Sequence, residues 1–326
     1  MSTVQRTAVI TGATSEKGIG VTTARRFARE GWGVVILDLD AEKSARVAQD
    51  IGQECGVPAF GHAIDVADEA SVTAARDAVA AEVAAGTLPP VGAVVNIAGI
   101  TSPVPFLETT LELWHKVMDV NATGTYLVTK AFLPEMIEQG WGRVVNMSSV
   151  SAQRGGGVFG KVPYSAAKAA ILGFTKALAR ELGTTGVTVN AVTPGAVDTN
   201  IRVGSTDEQE AAIAAGIPVG RTATTEEIAA SITFLASEDS SYLTGVTLDI
   251  NGILGLAAIA GKACVTAHFQ LVAHPVPAAP LEADLAAIHH GAADLDGLHV
   301  LDEIHQDLGR SHSSPEVLLD RFPHRS

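Results

Sequence analysis

Apolar residues along the chain fall into two alternating patterns. Short unbroken runs rich in Val and Ile occur at 7–11 (TAVIT), 33–39 (GVVILDL), 91–99 (VGAVVNIAG), 142–149 (GRVVNMSS), 187–195 (VTVNAVTPG) and 245–252 (GVTLDING). Continuous apolar character of this kind belongs to strands buried on both faces of a sheet. Between them lie longer segments with helical periodicity, among them GVTTARRFAREG, DEASVTAARDAVAAEVAAG and YSAAKAAILGFTKALARELG. Strand and helix in alternation predict an α/β fold, a doubly wound parallel sheet with helices on both faces and right-handed crossovers.

The alternation stops near Gly252. The chain therefore divides into a domain over 1–252 and an extension over 253–326. The extension holds eight of the ten histidines and a Pro-rich stretch, HPVPAAP, at 274–280. Clustered imidazoles raise the question of a metal site. No pair has the i, i+4 spacing of a helical zinc motif, and the carboxylates are scattered. No metal ligand is assigned.

Composition narrows the classes of function. With 47% hydrophobic and 18% charged residues, the chain can bury a sizeable core. A formal net charge of -14 disfavours nucleic acid and anionic membrane as partners, because nothing would displace counterions from phosphates. Cys55 and Cys264 are the only cysteines, which gives no disulfide framework and fits a reducing, cytoplasmic setting. The N-terminus runs almost directly into RTAVITGAT without a secretory apolar region, and no apolar run approaches a membrane span.

Candidate chemistry begins with TGATSEKGIG at 11–20, which follows the first strand and opens a helix. Gly12 permits a tight turn. Gly18 and Gly20 are expected to let amides at the helix N-terminus approach a pyrophosphate. Asp38 ends the second strand, 18 residues after Gly20. A carboxylate there can accept from the adenosine ribose hydroxyls and repels a 2′-phosphate, so it favours NAD over NADP. Lys17 acts in the opposite sense if it meets a 2′-phosphate, and is otherwise a solvated loop charge.

Tyr164 and Lys168 stand at i and i+4, on one helix face. A free phenol has a pKa near 10 and is a poor base at neutral pH. A nearby ammonium favours the phenolate, so the pair can serve as a general acid/base for an alcohol or a ketone. A lone YxxxK is more often an aromatic anchor beside a solvated lysine. Here it has company: TGATSEKGIG, NIAG (96–99), NATG (121–124), VNMSS (145–149), YSAAK (164–168) and PGAVDT (194–199) occur in this order.

That series strongly resembles the short-chain dehydrogenase/reductase family in its single-domain form, over about residues 4–252. The resemblance implies a Rossmann-like fold and a homo-oligomer, most often a tetramer built through helices near 105–135 and 164–182. It implies catalytic roles for Asn121, Ser149, Tyr164 and Lys168. Ser149 would polarise the substrate oxygen. It lies 15 residues before Tyr164, about two more than the family's usual spacing, so Ser151 stays as the alternative. Asn121 would hold a water connecting Lys168 to solvent. For the cofactor, the resemblance implicates Gly12, Gly18, Ile19 and Gly20 at the phosphates, and Asp65 with Val66 at the adenine. Asn96 would fix the sheet and border the cofactor, with Gly99 allowing close approach. Pro194, Gly195, Val197 and Thr199 would stand at the nicotinamide, with Tyr164 and Lys168 at its ribose.

The expected activity is hydride exchange between NAD and a secondary alcohol or ketone. The family also contains 3-oxoacyl thioester reductases, which usually take NADPH, and members that bind nucleotide without catalysis. The substrate is expected to be modest and largely apolar, walled by 154–160, by Val104 to Leu107 and by the loop 200–221. Gln153 is either a polar contact to it or structural.

Overall fold

A computed structural model of the protein describes residues 6–157, 160–199 and 207–252. The extension over 253–326, with its histidines, lies outside the described residues. Among the described residues, seven strands form one parallel sheet in the order β3-β2-β1-β4-β5-β6-β7. They are β1 Thr7–Thr11, β2 Gly33–Asp38, β3 Ala59–Ala63, β4 Val91–Asn96, β5 Gly142–Met147, β6 Val187–Pro194 and β7 Thr247–Ile250. The helices are α1 Ile19–Arg29, α2 Ala41–Cys55, α3 Glu69–Ala84, α4 Leu111–Met118, α5 Gly124–Glu138, α6 Ser151–Arg154, α7 Val162–Glu181, α8 Asp207–Ala215 and α9 Thr225–Leu235. Among the described residues, no helix is long and apolar enough to cross a membrane.

The expected parallel α/β architecture is what the chain forms, and the reason is visible strand by strand. Ile10, Ile36, Val95, Val145 and Val192 point to one face and pack with Phe27 of α1, Ile51 of α2 and Ile232 of α9. Val9, Val35, Val94, Val144 and Val189 point to the other and pack with Val79 of α3, Phe132 of α5 and Leu178 of α7. Neighbouring residues serve opposite cores, so both must be apolar.

β3 departs from the sequence reading, which placed no strand at 59–63. Its sequence, AFGHA, carries no β-branched residue. It is an edge strand, only half-buried, and Gly61 lies against the α2 backbone. A Cβ on Gly61 would come within 2.2 Å of the Ser44 carbonyl oxygen. Here helix packing, not strand propensity, selects the residue.

In chain order the strands run outward from β1 in one direction, then return past it to β4. Such a reversal leaves a crevice at the C-terminal strand ends, where ligands of open α/β sheets sit.

Candidate active site

The loops after β1, β2, β4, β5 and β6 surround one cavity of about 1100 Å³. Its volume lies just above the usual range of ligand pockets, about 300–1,000 Å³. Of the residues assigned from sequence, Gly12, Gly18, Ile19, Gly20, Asp38, Asp65, Val66, Gly99, Asn121, Ser149, Tyr164, Lys168, Pro194, Gly195, Val197 and Thr199 all line it. Asn96 does not. It is buried beneath, with its amide donating to Thr129 Oγ1 (2.9 Å) and to Asn146 Oδ1 on β5 (2.8 Å).

The glycines act differently from one another. Gly12 has φ +68°, and a Cβ there would lie 2.8 Å from the Ala98 backbone. This is a close approach between the loops after β1 and β4. A Cβ on Gly20 would meet Gly12 O at 2.3 Å, so Gly20 serves the packing of α1 on the strand. The Gly18 N–H already donates to Ser15 O at 2.9 Å. Its own amide is thus used within the loop, while Gly18 still lines the cavity beside the start of α1. Glu16 and Lys17 are exposed on the resulting turn, and neither lines the cavity. The start of α1 has no side-chain cap, which leaves its first amides at Ile19 and Gly20 without protein acceptors of that kind.

At the end of β2, Asp38 Oδ2 accepts from the Thr14 amide (3.0 Å) and the Thr14 hydroxyl (2.8 Å), and Oδ1 accepts from the Leu39 amide (2.8 Å). Past β3, Asp65 Oδ1 accepts from the Ala67 amide at 3.0 Å, and Val66 packs against Gly124.

Across the cavity, α7 carries Tyr164 and Lys168. Lys168 is buried, donates from Nζ to Met147 O at 2.8 Å, and holds Nζ 5.7 Å from the Tyr164 ring centre. Ser149 follows β5 and faces the phenol, and its Oγ accepts from the Ser151 amide at 3.1 Å. Ser148 is committed elsewhere, donating to Lys168 O at 2.7 Å. Asn121 lies in a π-helical turn, Asp119–Thr123, between α4 and α5. Its amide nitrogen donates to Ile100 O and Val117 O, both at 2.9 Å. Its Oδ1 is buried without a partner among the described residues, and stands with Lys168 Nζ around Gly99.

Burial dominates the electrostatics. It pushes the Tyr164 phenol up, and the Ser149 hydroxyl pulls it part of the way back. Burial pushes Lys168 down to about 7. The expected lowering of Tyr164 by Lys168 is therefore not what the chain's own groups produce, because both charged forms lose water in the same crevice. A stability prediction follows from the lysine. The unfolded chain keeps this proton to about pH 10.5 and the folded protein only to about 7. Between those values the unfolded state binds more protons, so stability contributed by this group rises as pH rises through 7. Against Lys168→Met, wild type should gain roughly 2–3 kcal/mol of unfolding free energy between about pH 6 and pH 9. Chemical denaturation across that range checks it, and a pH-independent difference would contradict it.

Some expected walls are elsewhere. Val104 to Leu107 do not line the cavity, and Phe106 and Leu107 point to solvent. Gln153 donates to Asp249 Oδ1 at 2.7 Å, and Asp249 also takes the Thr193 hydroxyl, so Gln153 ties α6 to the sheet. Residues 200–206 of the substrate loop lie outside the described residues; beyond them Ala212, Ile213 and Gly216 of the α8 region contribute to the wall. Arg154, within an expected wall, and Lys116, outside the sequence assignments, add two cations to a cavity whose substrate is expected to be largely apolar. Thr14 was also missed; its one sequence signal is a hydroxyl residue two positions past the turn glycine.

Comparison with known proteins shows the family and the fold. The family model described as Enoyl-(Acyl carrier protein) reductase matches residues 12–252. A short-chain type dehydrogenase/reductase of Sinorhizobium fredii is 42% identical over 248 residues, 76% of this chain and 96% of that protein. The 3-oxoacyl-[acyl-carrier-protein] reductase of Aquifex aeolicus is 38% identical over 76% of this chain and 96% of its own length. Among solved structures, a variant of actinorhodin polyketide ketoreductase with NADPH superposes with a TM-score of 0.70 at 36% identity, covering 78% of this chain and 99% of that one. A family match over most of the described fold, and relatives matched over nearly their whole length, place this chain in the short-chain dehydrogenase/reductase family of oxidoreductases.

Proposed function

We propose that the chain is an NAD-dependent oxidoreductase acting between a secondary alcohol and its ketone. The observation that carries this reading is the gathering of Ser149, Tyr164 and Lys168 in the cavity whose β2 side is closed by Asp38. The nicotinamide cofactor, when bound, supplies the hydride chemistry. The chain supplies everything else. Tyr164 takes the proton from the alcohol oxygen, or returns it to the ketone. Ser149 donates to that same oxygen and favours the charge that develops there. Lys168 holds the nicotinamide ribose, and the unpartnered Oδ1 of Asn121 fixes a water that links Lys168 to solvent. Pro194, Gly195, Val197 and Thr199 bound the nicotinamide end. Gly12, Gly18, Ile19 and Gly20 shape the phosphate end, Asp38 accepts from a ribose hydroxyl, and Asp65 with Val66 borders the adenine. Asn96 supports this floor through the sheet.

NAD is the preferred dinucleotide in this reading, on the strength of the Asp38 carboxylate. The ketoreductase with NADPH argues the other way. Asp38→Ala should narrow the preference for NAD over NADP by about tenfold or more, since a close like-charge repulsion is lost. Cofactor titrations and kcat/KM for both dinucleotides test it, and a wild-type protein already better with NADP would sink the assignment. A second reading, reduction of a 3-oxoacyl thioester, is favoured by the name of the Aquifex relative. A panel of cyclic, aliphatic and hydroxyacyl substrates separates the two.

The protein acts as a cytoplasmic homo-oligomer, most simply a tetramer. Exposed Leu111 on α4 and Tyr126 on α5, in segments that the family resemblance assigns to subunit contacts, support this. Light scattering at working concentration should show an assembly, and a monomer would contradict it.

A further inference from the structure

We infer that Thr14 is a positioning residue that makes Asp38 a fixed barrier to a 2′-phosphate; this rests on the reading of Asp38 above. Thr14 is 7% exposed and sits two residues past the turn at Gly12. It spends two donors on one oxygen: its N–H lies 3.0 Å and its hydroxyl 2.8 Å from Asp38 Oδ2. The Leu39 amide holds Oδ1 at 2.8 Å.

A carboxylate oxygen has room for two good donors. Oδ2 is therefore filled by Thr14, and Oδ1 keeps one acceptor position for a ribose hydroxyl. The three bonds also lock the side chain. Asp38 stands at a strand end beside Leu39, which is 72% exposed, so solvent is close at hand. Without the clamp, the carboxylate could turn outward and admit a 2′-phosphate into the place it left. With the clamp, turning outward breaks charge-assisted bonds to Thr14. Selectivity then depends on a residue that needs no contact with the dinucleotide. Threonine suits the task because its branched Cβ restricts the hydroxyl rotamer.

The test compares Thr14→Val, which keeps shape and loses the hydroxyl, with Thr14→Ser, which keeps the hydroxyl. Dissociation constants for NAD and NADP are measured by titration calorimetry on the purified protein, alongside kcat/KM for each. Thr14→Val should narrow the NAD-to-NADP ratio of dissociation constants by about tenfold, as expected for one lost charge-assisted bond, with kcat on NAD little changed. Thr14→Ser should stay near wild type. In an Asp38→Ala background, Thr14→Val should add nothing further. An unchanged ratio in Thr14→Val, with Asp38→Ala still narrowing it, overturns the clamp and spares the Asp38 reading. An unchanged ratio in Asp38→Ala overturns both. Should Thr14→Val fail to fold, Thr14→Ala reads the same contact.

Discussion

Replacing Tyr164 by Phe should lower turnover by about a thousandfold or more, within the range for a lost general acid/base, while the dissociation constant for the dinucleotide stays within about threefold of wild type. The substitution removes one oxygen and keeps the ring that packs beside Gly160 and Lys168. No other described phenol lines the cavity, and Lys168 Nζ is held at the Met147 carbonyl and, in the proposed reading, at the nicotinamide ribose, not at the substrate oxygen. The proton then has no carrier at the substrate oxygen. Turnover within tenfold of wild type, by steady-state kinetics, would reject Tyr164 as that carrier.

Ser149→Ala should cost about a hundredfold or more in kcat, as for the loss of one donor to a developing oxyanion. Ser151→Ala should cost little. Both serines are nearly buried and both line the cavity. They differ in what they face. The Ser149 hydroxyl acts on the Tyr164 phenol, while the Ser151 amide donates to Ser149 Oγ and holds it in place. That amide survives in Ser151→Ala, so the contact persists. The reverse ranking in kcat would transfer the role to Ser151.

How much of this could be read from sequence follows from the range of each interaction. The six Val- and Ile-rich runs are strands in the structure because their apolar residues are shared between two cores, one on each face of the sheet. β3 was missed because Gly61 is set by the backbone of α2, a partner that no local pattern announces. Motif order singled out Tyr164, Lys168, Ser149 and Asn121, and all four line one cavity. It could not show how they are held. Gln153 meets Asp249 across 96 positions, and Asp38 meets Thr14 across 24. Such pairs depend on strand order and loop path. Charge behaviour was equally hidden: an i, i+4 pair says that two groups are close, and only burial says which way each titrates. The glycine loop shows the same limit, since its spacing does not reveal that Gly18 spends its N–H on Ser15.

The central claim is hydride exchange with NAD at this site, and an assay of nicotinamide reduction and oxidation over a panel of secondary alcohols and ketones tests it most directly. The account predicts turnover with at least one pair, with kcat/KM for NAD about tenfold or more above that for NADP. Tight, saturable dinucleotide binding with no turnover on any member of the panel would contradict it.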